Sequence, residues 1–354
     1  MTVSSREIPS SRHLSNEALQ LATTRAYHGF LRHRGIDSAA ALSFFAALVL
    51  FPASLALVSV FALIDNKADA PADILRIIGS VAPHSTVVAI HGPLTQFLSV
   101  PNAGYALAIG LVLTLWTLSG YLTAFGRAIN TAYEVDEGRR WAPMRARMLL
   151  VAIVLIVVGA AIVLLLSGTP TVARAILKGL ELPPWIAVLW DIGKWPVLLG
   201  LAVLAVAILY YYPPNVRHLR IRWVTWGALL TIVVWTLATT GFAIYVLNFS
   251  HYNRVYGWLG GAIVLLLWLY LSNLVVVFGA EVDAEIVRVR QLVAGIRSED
   301  QIQLPLRDTR RIETLEKWQK TDQRNGRLLR EREDRSRDSA AKGVAKNSRK
   351  KSPR

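Results

Sequence analysis

MLLVAIVLIVVGAAIVLLLSG, residues 148–168, runs for twenty-one positions without a formal charge. A helix rises about 1.5 Å per residue, so roughly twenty apolar residues cross the hydrocarbon core of a bilayer, and a soluble core needs no run of that length. Five more uncharged runs lie outward from it, at 39–64, 102–126, 195–212, 223–248 and 255–280. Each is expected to be a helix, because a backbone inside hydrocarbon must satisfy its own polar groups. A membrane β-barrel would alternate apolar and polar residues, and continuous runs such as 162–166 and 263–271 do not. With 53% hydrophobic residues in 354, the chain is expected to be an all-α integral membrane protein, a six-transmembrane-helix bundle.

Sidedness follows from Lys and Arg. Residues 1–38 hold five, the first loop two, the second five, the third two (three with Lys194), the fourth three, the fifth one and the part after the last span twenty. Basic residues near spans stay on the cytoplasmic side, which predicts an N-in, C-in arrangement. Residues 1–38 then form a cytoplasmic N-terminal segment, 39–290 the membrane domain and 299–354 a basic, largely disordered cytoplasmic tail. That tail carries seventeen bases against ten acids, with a transient charged helix expected over 307–337 and a disordered end. The first outer loop, 65–101, has two amphipathic stretches, 74–81 and 86–100, suited to the outer leaflet. No cleavable signal peptide is expected, since the polar, basic start precedes an apolar run far longer than a signal needs.

Several groups at the ends of the spans carry a family resemblance. They are Asp37-Ser38-Ala39-Ala40-Ala41-Leu42-Ser43-Phe44-Phe45 leading to Phe51-Pro52, then Asn130-Thr131-Ala132-Tyr133-Glu134-Val135 with Glu137-Gly138-Arg139. Tyr210 to Pro213 and Tyr256-Gly257 follow, and last Trp268-Leu269-Tyr270-Leu271-Ser272 and Phe278-Gly279-Ala280-Glu281-Val282-Asp283-Ala284-Glu285. Over about residues 25–290 the chain resembles the YihY/BrkB family of bacterial inner-membrane proteins. The resemblance implies a six-helix bundle in the cytoplasmic membrane. An older ribonuclease label attached to that family is regarded as a misassignment. Asp283 stands where Asn is common in the family.

Polar groups inside a membrane are costly and mark candidate sites. Asn273 interrupts the sixth span, and Glu281, Asp283 and Glu285 follow at its inner end. Glu281 and Glu285 share a helical face while Asp283 points elsewhere. The bland reading is a solvated Glu285–Arg288 pair; the sharper one is an ion or proton site centred on Glu281, with Asn273 nearby. Pro52 and Pro196 stand in spans one and four, equivalent if the bundle is two inverted three-helix halves, and broken helices at such positions point to a transporter site. Otherwise Pro196 merely occupies a first helical turn. Asn130 and Asp37 join the candidates through the motifs above. Gly257 and Gly261 form a G-x-x-x-G suited to packing within the molecule or to a homo-oligomer seam.

No P-loop, G-x-S-x-G, H-E-x-x-H or dinucleotide fingerprint is present, and scattered His residues make no metal set. The chain is therefore expected not to be an enzyme and to need no cofactor. Its expected partners are membrane lipids, chiefly the anionic inner leaflet through the basic tail; no specific nucleic acid is expected. The function expected is transport across the membrane or lipid handling within it, with a non-transporting scaffold or envelope-integrity role as the competing reading.

Overall fold

The computed structural model describes residues 14–64, 103–167, 185–217, 226–248 and 253–350. Eight helices follow in order: α1 Asn16–Arg32, α2 Gly35–Ile64, α3 Ala103–Ala132, α4 Trp141–Ser167, α5 Trp185–Tyr211, α6 Trp226–Asn248, α7 Asn253–Val293 and α8 Arg310–Lys350. The described residues contain no strand, only an isolated antiparallel bridge between Val216 and Leu306. Six helices, α2 to α7, are long and apolar enough to cross a membrane. They expose large apolar side chains outward, with Phe51 76%, Leu164 70% and Leu237 68% accessible. Such a surface belongs in lipid. The first outer loop and its two amphipathic stretches lie outside the described residues.

Inside the bundle, α2 packs along α3, and α7 touches α2, α6 and α1. Its core is a cluster around Phe125, Ile129, Tyr133, Tyr210, Val277 and Ala280. Polar groups within the spans find partners on neighbouring helices: Tyr121 OH donates to Asn273 Oδ1 at 2.8 Å, and Trp235 Nε1 to Ser272 Oγ at 3.0 Å. Tyr210 OH lies 2.8 Å from Thr231 Oγ1 and donates to the Val276 carbonyl at 2.6 Å. In hydrocarbon such bonds hold helices in register. Close approach does the same for α6 and α7, because a Cβ on Gly227 would collide with the Gly279 carbonyl and one on Gly279 with Thr231 and Tyr210.

Pro52 lies within α2 and Pro196 within α5. Both helices continue through the proline, so Pro196 does not occupy a first turn. Each proline lacks an N–H and leaves the carbonyl four residues earlier without its helical donor. Pro52 is the eighteenth residue of α2, and Pro196 is the sixteenth counted back from the end of α5.

Within the N-terminal segment, 16–32 is a helix, capped by Ser15, whose Oγ accepts from Ala18 N at 3.2 Å. Ala22 and Ala26 bury against Val282, Ile286 and Val289 of α7, and Phe30 meets Phe278 edge-on at 5.5 Å. One expectation needs correction, that of a tail largely disordered from residue 299. Residues 298–309 instead form a strap across the end of the bundle, with Ser298 and Ile302 buried. Arg217 N donates to the Pro305 carbonyl at 2.8 Å and Arg307 N to the Asn215 carbonyl at 2.9 Å. From Arg310 to Lys350 the chain is one helix, exposed through residue 337 apart from the half-buried Ile312. The strap folds because its backbone finds partners in the loop after α5 and its few apolar side chains find a core, neither of which composition reveals.

Candidate functional site: a charged cluster at the end of the bundle

Residues 281, 285 and 288 of α7 recur at intervals of four and three and so line one face. Antiparallel α1 brings Arg25, Gly29 and, just beyond its end, His33 to that face. Glu281 Oε1 lies 3.0 Å from His33 Nδ1. Its other oxygen, Oε2, is buried without a hydrogen-bond partner among the described residues. Gly29 makes this approach feasible, since a Cβ there would stand 3.0 Å from Glu281 Oε2. One turn on, Glu285 Oε2 accepts from Arg25 Nε at 3.0 Å and also lies 3.0 Å from Arg288 Nε. Arg288 donates from Nη1 to the Ser298 carbonyl at 2.8 Å, and its Nη2 forms an ion pair with Glu134 Oε2 at 2.9 Å. Glu134, held in a left-handed turn at φ 55° after α3, also pairs with Arg32 at 2.9 Å. His33 Nε2 is 3.9 Å from the same carboxylate.

The expectation of a solvated Glu285–Arg288 pair therefore fails: the side chains are 2% and 0% exposed. Burial of a charged pair requires further partners, and Arg25, Glu134 and the Ser298 carbonyl supply them. Asp283 faces the other way, accepting from Tyr133 OH at 3.2 Å. Burial, and then the Asp283 carboxylate, push the Tyr133 phenol well above its usual range. Asn273 bonds Tyr121 and the Leu269 carbonyl, whereas Glu281 meets His33. Asp37 stays at the surface, paired with Arg34 at 2.7 Å. Gly261 is exposed, with no atom within 4 Å of a Cβ built there, so the expected packing within the molecule is not found at that position; the surroundings of Gly257 lie outside the description.

A second polar knot joins three loops at the same end. Asn130 donates from Nδ2 to Glu137 at 3.0 Å and accepts from Asn215 N at 2.7 Å. Arg139 donates from Nε and Nη2 to the two Glu137 oxygens, each at 2.7 Å, and also reaches the Pro213 carbonyl. Burial alone would raise Glu137, but the Arg139 bonds outweigh it and hold the carboxyl below its ordinary value. Asn215 extends from Nδ2 to the Asp136 and Asp308 carbonyls at 3.1 and 3.0 Å, tying in the strap. In this knot Asn130, Arg139 and Asn215 are buried and Glu137 is half-buried. The first cluster, by contrast, borders a cleft of about 170 Å³ lined by Arg25, His28, Gly29, Arg32 and Glu285.

Glu281, Glu285, Asp283, Asn273 and Asn130 were marked by the sequence. His33, Glu134, Arg25, Tyr121 and Asn215 were not singled out as site residues. The Ser15 cap followed by Ala22, Ala26 and Phe30 is the signal that would have located α1 and with it Arg25 and His33.

Comparison with known proteins agrees with this architecture. Residues 26–301 match the family model described as "Virulence factor BrkB". The chain is 30% identical over 261 residues to the "putative ribonuclease-like protein YfkH" of Bacillus subtilis, covering 71% of this chain and 90% of that protein. It is 26% identical over 274 residues to a "UPF0761 membrane protein" of Chromobacterium violaceum, covering 74% and 63% respectively. Another "UPF0761 membrane protein", from Alteromonas mediterranea, is 44% identical over 82 residues, 23% of this chain and 28% of that one. No solved structure matches the chain.

Proposed function

The chain belongs to the BrkB family, and from that premise we propose that this multi-pass bacterial membrane protein moves a substrate across the cytoplasmic membrane or handles lipid within it, with Glu281 at its working centre. One observation carries the reading. A carboxylate 2% exposed in total, next to an apolar span, keeps one oxygen without a bonding partner among the described residues while the other meets a histidine. Unpaired buried carboxylate oxygens are costly and persist where a proton or ion is exchanged. Pro52 and Pro196 lie at comparable distances from the same end of the bundle, whereas inverted halves would set equivalent positions at comparable distances from opposite ends, so the prolines lend this reading nothing.

The chain is in this reading not an enzyme. Glu281, Asp283 and Glu285 are each engaged with a different basic or phenolic neighbour and converge on no common point, whereas metal-dependent nuclease chemistry needs carboxylates aimed together. In this reading the ribonuclease-like wording in the name of the Bacillus subtilis protein is not carried over to this chain.

The test is reconstitution of the purified protein in vesicles, followed with a luminal pH dye and with a fluorescent phospholipid whose leaflet is read by quenching. Glu281→Gln keeps the shape and removes the charge. It is expected to abolish activity or shift its pH dependence in a protein that inserts normally. If Glu281→Gln behaves as wild type while Glu281→Leu only lowers stability, the residue is structural and the scaffold reading replaces this one.

A further inference from the structure

The cleft beside the charged cluster has a chemistry of its own. Arg25, His28, Gly29 and Arg32 recur along α1 at intervals of three and four, so they form one stripe. Glu285 floors the cleft, but its side chain is 2% exposed and both neighbouring guanidinium groups, Arg25 and Arg288, neutralise it. The groups turned outward are cationic or proton-donating: Arg25 with 31% of its side chain exposed, Arg32 with 61%, and the exposed His28 ring. Arg25 commits Nε to Glu285 and Nη2 to the Glu299 carbonyl, and Arg32 commits Nη2 to Glu134. A guanidinium has five donors, so both keep others for an anion.

The surroundings say which anion. Arg32 is followed after two residues by α2, which enters the bilayer, so the cleft mouth lies near the headgroups. By the distribution of bases, this end is the cytoplasmic one, facing an anionic leaflet. Bidentate arginine is suited to phosphate oxygens.

We infer that the cleft between α1 and α7 is a phosphate site, filled by the headgroup of an anionic phospholipid of the inner leaflet. This deepens the lipid-handling side of the proposed function and rests on it only for sidedness, since the cleft residues are not Glu281.

Melting of the full-length protein in neutral detergent, titrated with phosphatidylglycerol, with zwitterionic phosphatidylethanolamine and separately with inorganic phosphate, tests it. Wild type is expected to be stabilised by phosphatidylglycerol well below the concentration at which phosphatidylethanolamine acts. Arg32→Gln should weaken that response about five-fold, the usual worth of one base at an anionic surface. His28→Glu, at an exposed ring, should weaken it at least as much without touching the ion pairs. The basic tail is present in every variant, so the difference isolates the cleft. If inorganic phosphate alone stabilises the protein and displaces the lipid, the phosphate chemistry stands and its source is soluble. If both variants respond to phosphatidylglycerol as wild type does, the inference falls. Glu281→Gln should keep the lipid response intact, so a silent Glu281 and an empty cleft are separable failures.

Discussion

Glu137 shows how a single side chain on the cytoplasmic loops holds several segments together. Its two oxygens take both Arg139 nitrogens and the Asn130 amide, and Asn130 in turn fixes Asn215. The folded-state carboxyl is held below its ordinary value of about 4.5. A depressed acid stabilises the fold above its unfolded value and loses that contribution as pH falls through the folded one. Acid denaturation is therefore expected to steepen below about pH 4.5 in wild type, and Glu137→Gln should flatten that limb. At neutral pH the same change strands a 6%-exposed Arg139, at a cost on the order of 3 kcal/mol; melting curves in detergent from pH 3 to 8 check both. Asp283→Asn is expected to be nearly silent in the same assay, because an amide oxygen still accepts from Tyr133. Asn130 and Glu137 stood in quoted motifs, but their mutual bond joins a helix end to a loop seven residues on, a contact no periodicity encodes.

At the scale of elements, the strap and α8 part company. Residues 298–309 bury Ser298 and Ile302, receive Arg217 N and send Arg307 to the Tyr211 and Val216 carbonyls at 2.6 and 2.7 Å. Helix α8 exposes Leu315, Trp318, Leu328 and Leu329 and draws little from the bundle. Truncation after residue 312 is expected to leave expression and melting within a few degrees of wild type, since Arg311 N retains its bond to the Gly138 carbonyl at 2.8 Å. Truncation after residue 297 should collapse expression or lower the melting point sharply, because Arg288 and Gln291 lose the Ser298 and Gln303 carbonyls. Equal behaviour of the two truncations would show that the strap is dispensable. Gly279 marks the tightest crossing of α6 and α7, so Gly279→Val should prevent folding altogether.

For the whole molecule, α1, the loops after α3 and α5, and the strap all meet at one end of the bundle, joined by Arg32–Glu134, Asn215–Asn130 and Arg307–Val216 contacts. Six spans place the two ends of the membrane domain on the same side, and the basic counts make that side cytoplasmic. Periplasmic-reporter fusions after residue 80 are expected to be active, and those after residues 140 and 309 inactive. An active reporter after residue 309 would overturn the even number of spans.

Charge-free runs of at least eighteen residues admit one solution in hydrocarbon, a self-satisfied helix, so the six spans were readable from local composition alone. The same holds for the sidedness expected from the bases and for the marking of Glu281, a charge abutting an apolar run. What the tertiary structure decided is where those charges go. Whether Glu285 meets water or Arg25, whether His33 reaches Glu281, and whether residues 298–309 stay free or close the bundle depend on segments up to about 270 residues apart. Burial of a polar group is settled by its partners, and partners brought together by packing leave no local trace in the chain.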